Sequence, residues 1–242
     1  MATKLYDFSN RQVLVVGASR AGIGAAIADG FADAGASVTI TGKEDQPIES
    51  YLGRYAYRQL DVADEEAVQK LAAETPELDI LVNCAGMANR DTEWTNAGFK
   101  RVIDVNLVGL FNLANAFRPH LARSKGSVVT IASMYSMMGS PMVPAYGASK
   151  AGLAQLAQTL AIAWAKDGIR VNAIAPGFIV TEQTVRARAD STHYNRVLDR
   201  TPMARWGEPS DLVGPALFLA SDHAKFVTGI LMPVDGGLTA SL

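Results

Sequence analysis

The feature that most constrains the fold is a regular alternation of short β-branched runs with longer alanine-rich segments of helical period. The runs predicted to be buried strands are 13–16, 38–40, 80–82, 128–131, 171–174 and 230–234, with 54–59 as a candidate seventh. Helical period marks the segments 23–34, 65–73, 99–122, 146–165 and 210–220. This alternation predicts an α/β doubly wound fold, in which a parallel sheet of about seven strands has helices on both faces.

The chain shows no obvious division into parts. No Pro-rich or Gly-rich linker, charge block or internal repeat interrupts residues 1–242, which predicts a single Rossmann-type domain. Segment 181–205 departs from the alternation because it is polar and weakly periodic, and it follows the carboxyl end of a strand. We predict a substrate lid there, with an ordinary surface excursion as the alternative.

Composition argues against several classes of protein. The chain is 49% hydrophobic and 19% charged, which suits a packed core, and its net charge of −2 with no long basic run argues against a nucleic-acid partner. Lys150 is the only charged residue within 126–165, but Ser, Pro and Gly interrupt this stretch, so we predict no membrane span. A single cysteine and the lack of an apolar signal segment in residues 1–10 predict a cytoplasmic location.

A glycine-rich segment follows the first predicted strand and precedes the first predicted helix. Glycines in such a place let the backbone turn tightly and approach a diphosphate, whose charge the free N–H groups of the helix then stabilise. The segment therefore predicts a dinucleotide site formed by Gly17, Ser19, Arg20, Gly22, Ile23 and Gly24.

A second cluster of motifs predicts proton transfer. Tyr146 and Lys150 are four residues apart and share one face of a predicted helix, and Ser133 follows the fifth predicted strand. A tyrosine can act as a general acid and base if its pKa of about 10 is lowered, and a fixed positive charge nearby favours the phenolate. We therefore expect Lys150 to lower the pKa of Tyr146.

Taken in order, these motifs resemble the short-chain dehydrogenase/reductase family over residues 8–237. The resemblance implies an NAD(P)(H)-dependent oxidoreductase that interconverts a ketone and a secondary alcohol by hydride transfer. It assigns Tyr146 as the acid and base, Ser133 as the group that polarises the substrate oxygen, and Asn106 as the holder of a water that connects Lys150 to solvent. A plain buried hydrogen bond is the alternative for Asn106.

The resemblance also implies further cofactor contacts and shows two departures. The usual glycine spacing has one residue fewer, so the turn must bulge at Ala21, and Cys84 stands where Asn is commoner; we assign Cys84 no catalytic role. No metal is expected. The implied contacts, beyond the glycine turn and Tyr146 and Lys150, are Asp61, Val62, Asn83, Ala85, Gly86, Pro176, Gly177, Ile179 and Thr181.

The end of the second predicted strand bears on the choice of cofactor. Gly42 supplies no carboxylate for the ribose 2′-hydroxyl, whereas Lys43 and Arg20 can neutralise a 2′-phosphate, which favours NADP(H). Glu44 and Asp45 follow at once and can turn inward, so NAD(H) is the alternative.

The substrate and assembly are left open. Residues 5–8 and 205–209 resemble the branch that oxidises sugar acids and polyols, and the 3-oxoacyl carrier-protein reductases share much of the pattern. Lid arginines 186, 188, 196 and 200 suit a carboxylate or a carrier phosphate, while methionines 134, 137, 138 and 142 favour an apolar ketone. A noncatalytic dinucleotide sensor and an epimerase or dehydratase are the competing classes.

The resemblance implies a homotetramer or homodimer through 99–122 and 146–165, whose apolar outer faces we expect to include Leu153, Leu160 and Trp164.

Overall fold

The structure is a computed structural model that describes residues 5–241; predictions that concern residues 1–4 and 242 lie outside the described residues. One sheet of parallel strands has the order β3-β2-β1-β4-β5-β6-β7. Its strands are β1 (Gln12–Val16), β2 (Ser37–Gly42), β3 (Ala56–Gln59), β4 (Ile80–Asn83), β5 (Ser127–Ile131), β6 (Arg170–Pro176) and β7 (Leu231–Val234). The order reverses between β1 and β4, so the predicted doubly wound α/β fold is confirmed.

Helices cover both faces of the sheet. They are α1 (Ile23–Asp33), α2 (Glu65–Glu74), α3 (Asn96–Ile103), α4 (Gly109–Ser124), α5 (Pro144–Trp164), α6 (Val185–Ala189), α7 (Ser191–Arg200) and α8 (Val213–Ala220). Among residues 5–241, none of the helices combines the length and the apolar character needed to cross a membrane.

The sheet separates two apolar cores, and β1 contributes to both. Leu14 and Val16 pack with residues of α2, α4 and α5, whereas Val13 and Val15 pack with residues of α1 and α8. Successive strand residues point to opposite faces, so a strand buried on both faces is apolar throughout. This is why the β-branched runs located the strands correctly.

The helix predicted over 99–122 differs from the observed structure in two ways. It begins earlier, at Asn96, because the Thr95 hydroxyl caps the helix by accepting the N–H of Gly98 at 3.0 Å. It also contains a π-helical turn, Asp104–Val108, between α3 and α4. Helical period does not reveal one inserted residue inside a continuous helix, so sequence analysis missed this turn.

The predicted lid segment contains the short helices α6 and α7. The Asp190 side chain accepts the N–H groups of Thr192 and His193 at 2.9 and 3.1 Å, which defines the start of α7. These short helices bury little of their surface: Ala187 and Val197 pack on Trp206 in a small separate cluster. A narrow apolar contact leaves most positions polar, which explains the weak periodicity.

The outer faces of α4 and α5 also differ from the prediction. Leu153, Leu160 and Trp164 are buried in the core that α5 shares with the sheet, so they do not form an outer apolar face. The exposed apolar side chains of these two helices include Phe111, at 47% exposure, and Ile162, at 80%.

Candidate active site

The main cleft lies at the carboxyl ends of β1 and β4, where the strand order reverses. Its volume is about 410 Å³, and the turn after β1 and the loop after β4 form its floor. Open α/β sheets bind ligands at this topological switch point. Of the predicted cofactor residues, those that line it are Gly17, Ser19, Arg20, Gly22, Ile23, Gly24, Lys43, Asp61, Val62, Ala85, Gly86, Tyr146, Lys150 and Thr181.

The glycine turn brings two backbone segments closer than a side chain would permit. Gly17 has a φ of +82°, and a Cβ there would lie 2.7 Å from the backbone N of Ala85; a Cβ on Gly24 would lie 2.3 Å from the carbonyl oxygen of Gly17. The extra residue, Ala21, is exposed, so the longer turn extends into solvent. No side chain caps α1, which leaves the N–H groups of its first turn available at the cleft.

Glu44 turns inward and binds both polar side chains of the glycine turn. Its carboxylate accepts the Ser19 hydroxyl at 2.5 Å and the Arg20 Nε–H at 2.8 Å. Partial burial acts to raise the pKa of Glu44, but these hydrogen bonds hold it at about 2. Lys43 is exposed at the same end of the cleft. Arg20, one of the two cations predicted for a 2′-phosphate, is therefore already paired with a carboxylate.

Asp61 is held by a residue that sequence analysis did not identify. Arg101 on α3 donates to its carboxylate at 2.7 Å, and the N–H of Ala63 donates to the other oxygen at 3.0 Å. Partial burial acts to raise the pKa of Asp61, whereas the Arg101 hydrogen bond keeps it below its usual value. Arg101 lies 40 residues away in sequence, and no local pattern links the two.

Some predicted cofactor residues do not line this cleft. Gly177 and Ile179 line a second cavity of about 240 Å³, and Pro176 is buried as the last residue of β6. Asn83 is buried, and its amide instead accepts the N–H of Ala85 at 3.2 Å and donates to Thr130 at 3.4 Å. Asn83 thus shapes the loop that forms the cleft floor.

Tyr146 and Lys150 line the cleft, and Ser133 lies beside Tyr146. Lys150 is 3% exposed, and its Nζ donates to the Ile131 carbonyl at 2.5 Å and lies 5.7 Å from the Tyr146 ring centroid. Ser133 is buried just after β5, and its hydroxyl accepts the N–H of Tyr135 at 3.1 Å. The three groups predicted to take part in catalysis are therefore neighbours.

Burial strongly affects the pKa values of Tyr146 and Lys150. Burial raises the pKa of Tyr146, the hydrogen bond with Ser133 acts to lower it, and Tyr135 and Glu93 raise it further. Burial lowers the pKa of Lys150 to about 8. Burial therefore has the largest effect on both pKa values, and the expectation that Lys150 lowers the pKa of Tyr146 stays a prediction.

Asn106 lies in the π-helical turn behind Lys150 and is fully hydrogen-bonded to neighbours. Its oxygen accepts the N–H of Met87 at 2.8 Å, and its Nδ2 donates to the Met87 carbonyl and the Ser149 hydroxyl, each at 2.9 Å. Gly86 packs against Lys150, and a Cβ added at Gly86 would lie 3.2 Å from Lys150 Nζ. Asn106 thus holds the loop after β4 against α5.

Of two further residues in the loop after β4, Cys84 was expected at the cofactor cleft without a catalytic role, whereas Glu93 was not predicted. Glu93 is a buried carboxylate that accepts the N–H groups of Asn89 and Tyr146 at 2.7 and 2.9 Å. Cys84 is half-buried and lines the cleft, and burial raises the pKa of its thiol to about 12. A glutamate that follows a polar loop gives no sequence signal of burial, so Glu93 was missed.

The lid segment contacts the opposite side of the cleft. Gln183 donates to the Gly86 carbonyl at 3.0 Å, and Arg186 forms an ion pair with Asp91 at 3.1 Å. Arg188 donates weakly to Thr184 and to the carbonyl of Thr181, both at 3.4 Å. Two of the four predicted lid arginines are therefore engaged within or across the lid.

A glycine turn at the switch point of a doubly wound sheet, with Tyr146, Lys150 and Ser133 beside it, defines the class of dinucleotide-binding α/β enzymes. Within residues 5–241, no cluster of His, Cys, Asp and Glu is arranged to hold a metal ion.

Comparisons with known proteins identify the family. A family model described as enoyl-(acyl carrier protein) reductase matches residues 17–239. A 2-dehydro-3-deoxy-D-gluconate 5-dehydrogenase of Formosa agariphila is 38% identical over 258 residues, which cover 100% of this chain and 97% of that protein. An L-tagatose-forming galactitol 2-dehydrogenase of Cereibacter sphaeroides is 40% identical, with 90% of this chain and 91% of that protein covered.

A solved structure agrees with these relatives. The gluconate 5-dehydrogenase of Burkholderia cenocepacia, in complex with NADP and tartrate, superposes with a TM-score of 0.92 at 32% identity, covering 98% of each chain. The chain belongs to the short-chain dehydrogenase/reductase family. It is an oxidoreductase that acts on CH–OH groups, as the resemblance in its motifs predicted.

Proposed function

We propose that this chain is an NADP(H)-dependent dehydrogenase that interconverts a secondary hydroxyl and a ketone on a small sugar acid, with Tyr146 as the general acid and base. The observation that carries the proposal is the convergence of Tyr146, Lys150 and Ser133 beside the dinucleotide crevice. A positioned proton donor at the place of hydride transfer is what reduction of a carbonyl requires.

The residues present suit a dinucleotide. Gly17, Gly22 and Gly24 line the cleft at the turn before α1, and the uncapped start of α1 offers N–H donors to a diphosphate. When bound, the dinucleotide supplies or accepts the hydride and, in its oxidised form, brings the positive nicotinamide ring. The chain itself supplies Lys43 and Arg20 at the end of the cleft where a 2′-phosphate would lie.

The catalytic roles follow from the same geometry. The Tyr146 hydroxyl donates a proton to the substrate oxygen in reduction and accepts it in oxidation, and the Ser133 hydroxyl holds that oxygen by a hydrogen bond. Lys150 provides positive charge behind Tyr146, and its own Nζ is fixed by the Ile131 carbonyl. Asn106 fixes the loop that borders Lys150, and the water it holds in the family remains a prediction.

The choice of NADP(H) over NAD(H) depends on Glu44. The related gluconate 5-dehydrogenase structure was solved with NADP, which supports a 2′-phosphate in the same place. Glu44 binds Ser19 and Arg20 and repels a phosphate, so NADP(H) binding requires this carboxylate to move aside. In its observed position, the Glu44 carboxylate would offer an acceptor to the ribose 2′-hydroxyl of NAD(H).

A sugar acid is the substrate class that the relatives favour. The named relatives act on 2-dehydro-3-deoxy-D-gluconate, gluconate and galactitol, which are polyhydroxylated chains. We further propose that the protein is cytoplasmic, with Cys84 as a free thiol, and assembles as a homotetramer or homodimer through the exposed faces of α4 and α5.

Turnover tests the proposal directly. The wild type is incubated with NADP⁺ or NAD⁺ and gluconate, 2-dehydro-3-deoxygluconate or galactitol, and cofactor reduction is followed by absorbance. We expect turnover with a sugar acid, and loss of at least about a thousandfold in Tyr146→Phe with cofactor binding unchanged. The exposed Tyr194→Phe is the matched control. Turnover retained by Tyr146→Phe would contradict the role of Tyr146, and product without stoichiometric cofactor reduction would indicate an epimerase.

A further inference from the structure

Glu93 is an acidic side chain that the dinucleotide site does not use, yet it contacts the candidate catalytic helix. It lies in the loop between β4 and α3 and is 1% exposed. One oxygen accepts the N–H of Asn89 at 2.7 Å, and the other accepts the N–H of Tyr146 at 2.9 Å. A buried carboxylate is costly unless its hydrogen bonds are made, so these contacts are required for it to stay buried.

The helix that carries Tyr146 does not cap itself. Val143 provides no side-chain cap to α5, Pro144 has no N–H, and the N–H of Gly147 donates to the Val143 carbonyl at 3.0 Å. The N–H of Tyr146 is at the third helical position, which an N-cap side chain commonly satisfies. Here the acceptor comes from 53 residues away, so the backbone of Tyr146 is tied to the loop after β4.

Both donors to Glu93 are backbone N–H groups, so a side chain that can accept at two oxygens fits this place. A carboxylate accepts at both oxygens, whereas a glutamine amide turns its NH₂ toward one of the two donors. An aspartate is one methylene shorter and does not span both donors from the same backbone position. The two hydrogen bonds of Glu93 therefore depend on both the length and the charge of its side chain.

The charge of Glu93 also acts on the Tyr146 hydroxyl. The groups that face Tyr146 are Ser133 and Tyr135 from the turn after β5, Lys150 on α5, and Glu93. Burial, Tyr135 and Glu93 raise the pKa of Tyr146, and Ser133 lowers it. A negative charge held next to the proton donor favours its protonated form.

We propose that Glu93 is a positioning residue for the dehydrogenase reaction: its carboxylate fixes the backbone of Tyr146 at the start of α5 and sets the pH range in which Tyr146 gives and accepts its proton. This rests on the role proposed for Tyr146. It assigns a function in catalysis to a residue outside the Tyr146, Lys150 and Ser133 group.

Glu93→Gln is the principal test, and Thr95→Ala is the matched control. Thr95 lies in the same loop and caps α3 by accepting the N–H of Gly98, and its hydroxyl donates to the Thr92 carbonyl. For Glu93→Gln we expect kcat to fall roughly tenfold at unchanged cofactor affinity, because Tyr146 is misplaced. The rising limb of the pH profile for oxidation should move to lower pH, because the charge opposing the phenolate is removed. Thr95→Ala should lower the thermal midpoint and leave the pH profile in place.

Amide hydrogen exchange, read by mass spectrometry on the peptide containing Tyr146, tests the cap without any turnover. Faster exchange of the Tyr146 amide in Glu93→Gln, with wild-type exchange in Thr95→Ala, is expected. This readout separates the inference from the proposed function, because a wild type without dehydrogenase activity contradicts the function while the exchange still tests the cap.

Two results would overturn the inference. The first is a pH profile of Glu93→Gln identical to that of the wild type, which would make Glu93 a structural residue only. The second is wild-type exchange at Tyr146 in this variant. Should Glu93→Gln fail to fold, Glu93→Asp keeps the charge: a lower kcat at an unchanged pH profile is expected, and a wild-type kcat would contradict the positioning role.

Discussion

Lys150 and Glu44 are charged side chains held in the cleft at a cost to stability or to binding. Lys150 is buried with one carbonyl as its hydrogen-bond partner, and Glu44 occupies the partners that a phosphate would use. Such conflicts are common where a site is arranged for a reaction rather than for stability. Each therefore gives a prediction that separates stability from function.

Lys150→Met should abolish turnover and raise the free energy of unfolding by about 1–2 kcal/mol, because it removes a buried charge and keeps the side-chain volume. Loss of the donor to the Ile131 carbonyl offsets part of this gain. Urea unfolding at pH 7 measures the change, and the exposed Lys166→Met is the control. A less stable Lys150→Met would contradict the prediction.

The same group makes stability depend on pH. The pKa of Lys150 is about 8 in the folded protein and near its usual value of 10.5 when unfolded. Between these values the unfolded chain binds more protons, so the free energy of unfolding should rise as pH increases from about 8 to about 9.5. Lys150→Met should lack this rise, and a rise of equal size in the variant would assign it to another group.

Glu44→Gln should raise the ratio of NADPH affinity to NADH affinity by about tenfold, because the carboxylate no longer competes for Arg20 and Ser19 or repels the 2′-phosphate. Tryptophan-fluorescence titrations of both cofactors give the ratio. Asp45→Asn is the control, since Asp45 is exposed and accepts a hydrogen bond from Gln59 instead. An unchanged ratio would show that Glu44 does not govern the choice of cofactor.

Two elements position the site although neither provides a proposed proton donor. The π-helical turn Asp104–Val108 turns Asn106 toward the loop after β4, where its amide holds both backbone groups of Met87. Single π-helical turns occur often near functional sites, where they re-aim a side chain. The lid segment 181–205 instead reaches the cleft through exposed polar contacts of Glu182 with Arg20, of Gln183 with the Gly86 carbonyl, and of Arg186 on α6 with Asp91.

The double variant Gln183→Ala, Arg186→Ala should weaken cofactor binding about fivefold to tenfold, because it removes one hydrogen bond and one exposed ion pair across the cleft. The weaker binding should appear as a faster dissociation of the cofactor, measured by stopped-flow fluorescence. Arg196→Ala is the control, being exposed on α7. Unchanged dissociation would favour an ordinary surface excursion over a lid.

At the scale of the whole molecule, parallel strands place the ends of β1, β4, β5 and β6 along one edge. This brings residues far apart in sequence to one cleft, which is why the crevice follows from strand order. The exposed apolar side chains of α4 and α5 lie away from the two cores. Apolar faces of this kind are typical of subunit contacts.

Ile162→Asp should dissociate the proposed assembly into smaller species, because a charge is placed within an apolar contact. Light scattering at micromolar concentration gives the mass. The control is Leu52→Asp, at an exposed leucine directly after the turn Glu49–Tyr51. A monomeric wild type would contradict the assembly, and a wild-type mass in Ile162→Asp would move the contact elsewhere.

Local pattern determined much of what this chain becomes. The β-branched runs predicted the strands, because a strand buried on both faces must be apolar along its whole length. The Gly17 turn and the spacing of Tyr146 and Lys150 are short-range features that a sequence displays directly. The family and the reaction class followed from the order of these motifs.

Only the tertiary structure decided how those features are used. The inward turn of Glu44, the pairing of Asp61 with Arg101, and the capping of Tyr146 by Glu93 join residues 24 to 53 positions apart. Packing also turned Leu153, Leu160 and Trp164 inward and raised the pKa of Tyr146. Periodicity reports which residues are apolar, but the partner and the burial of a polar group depend on segments that meet only after folding.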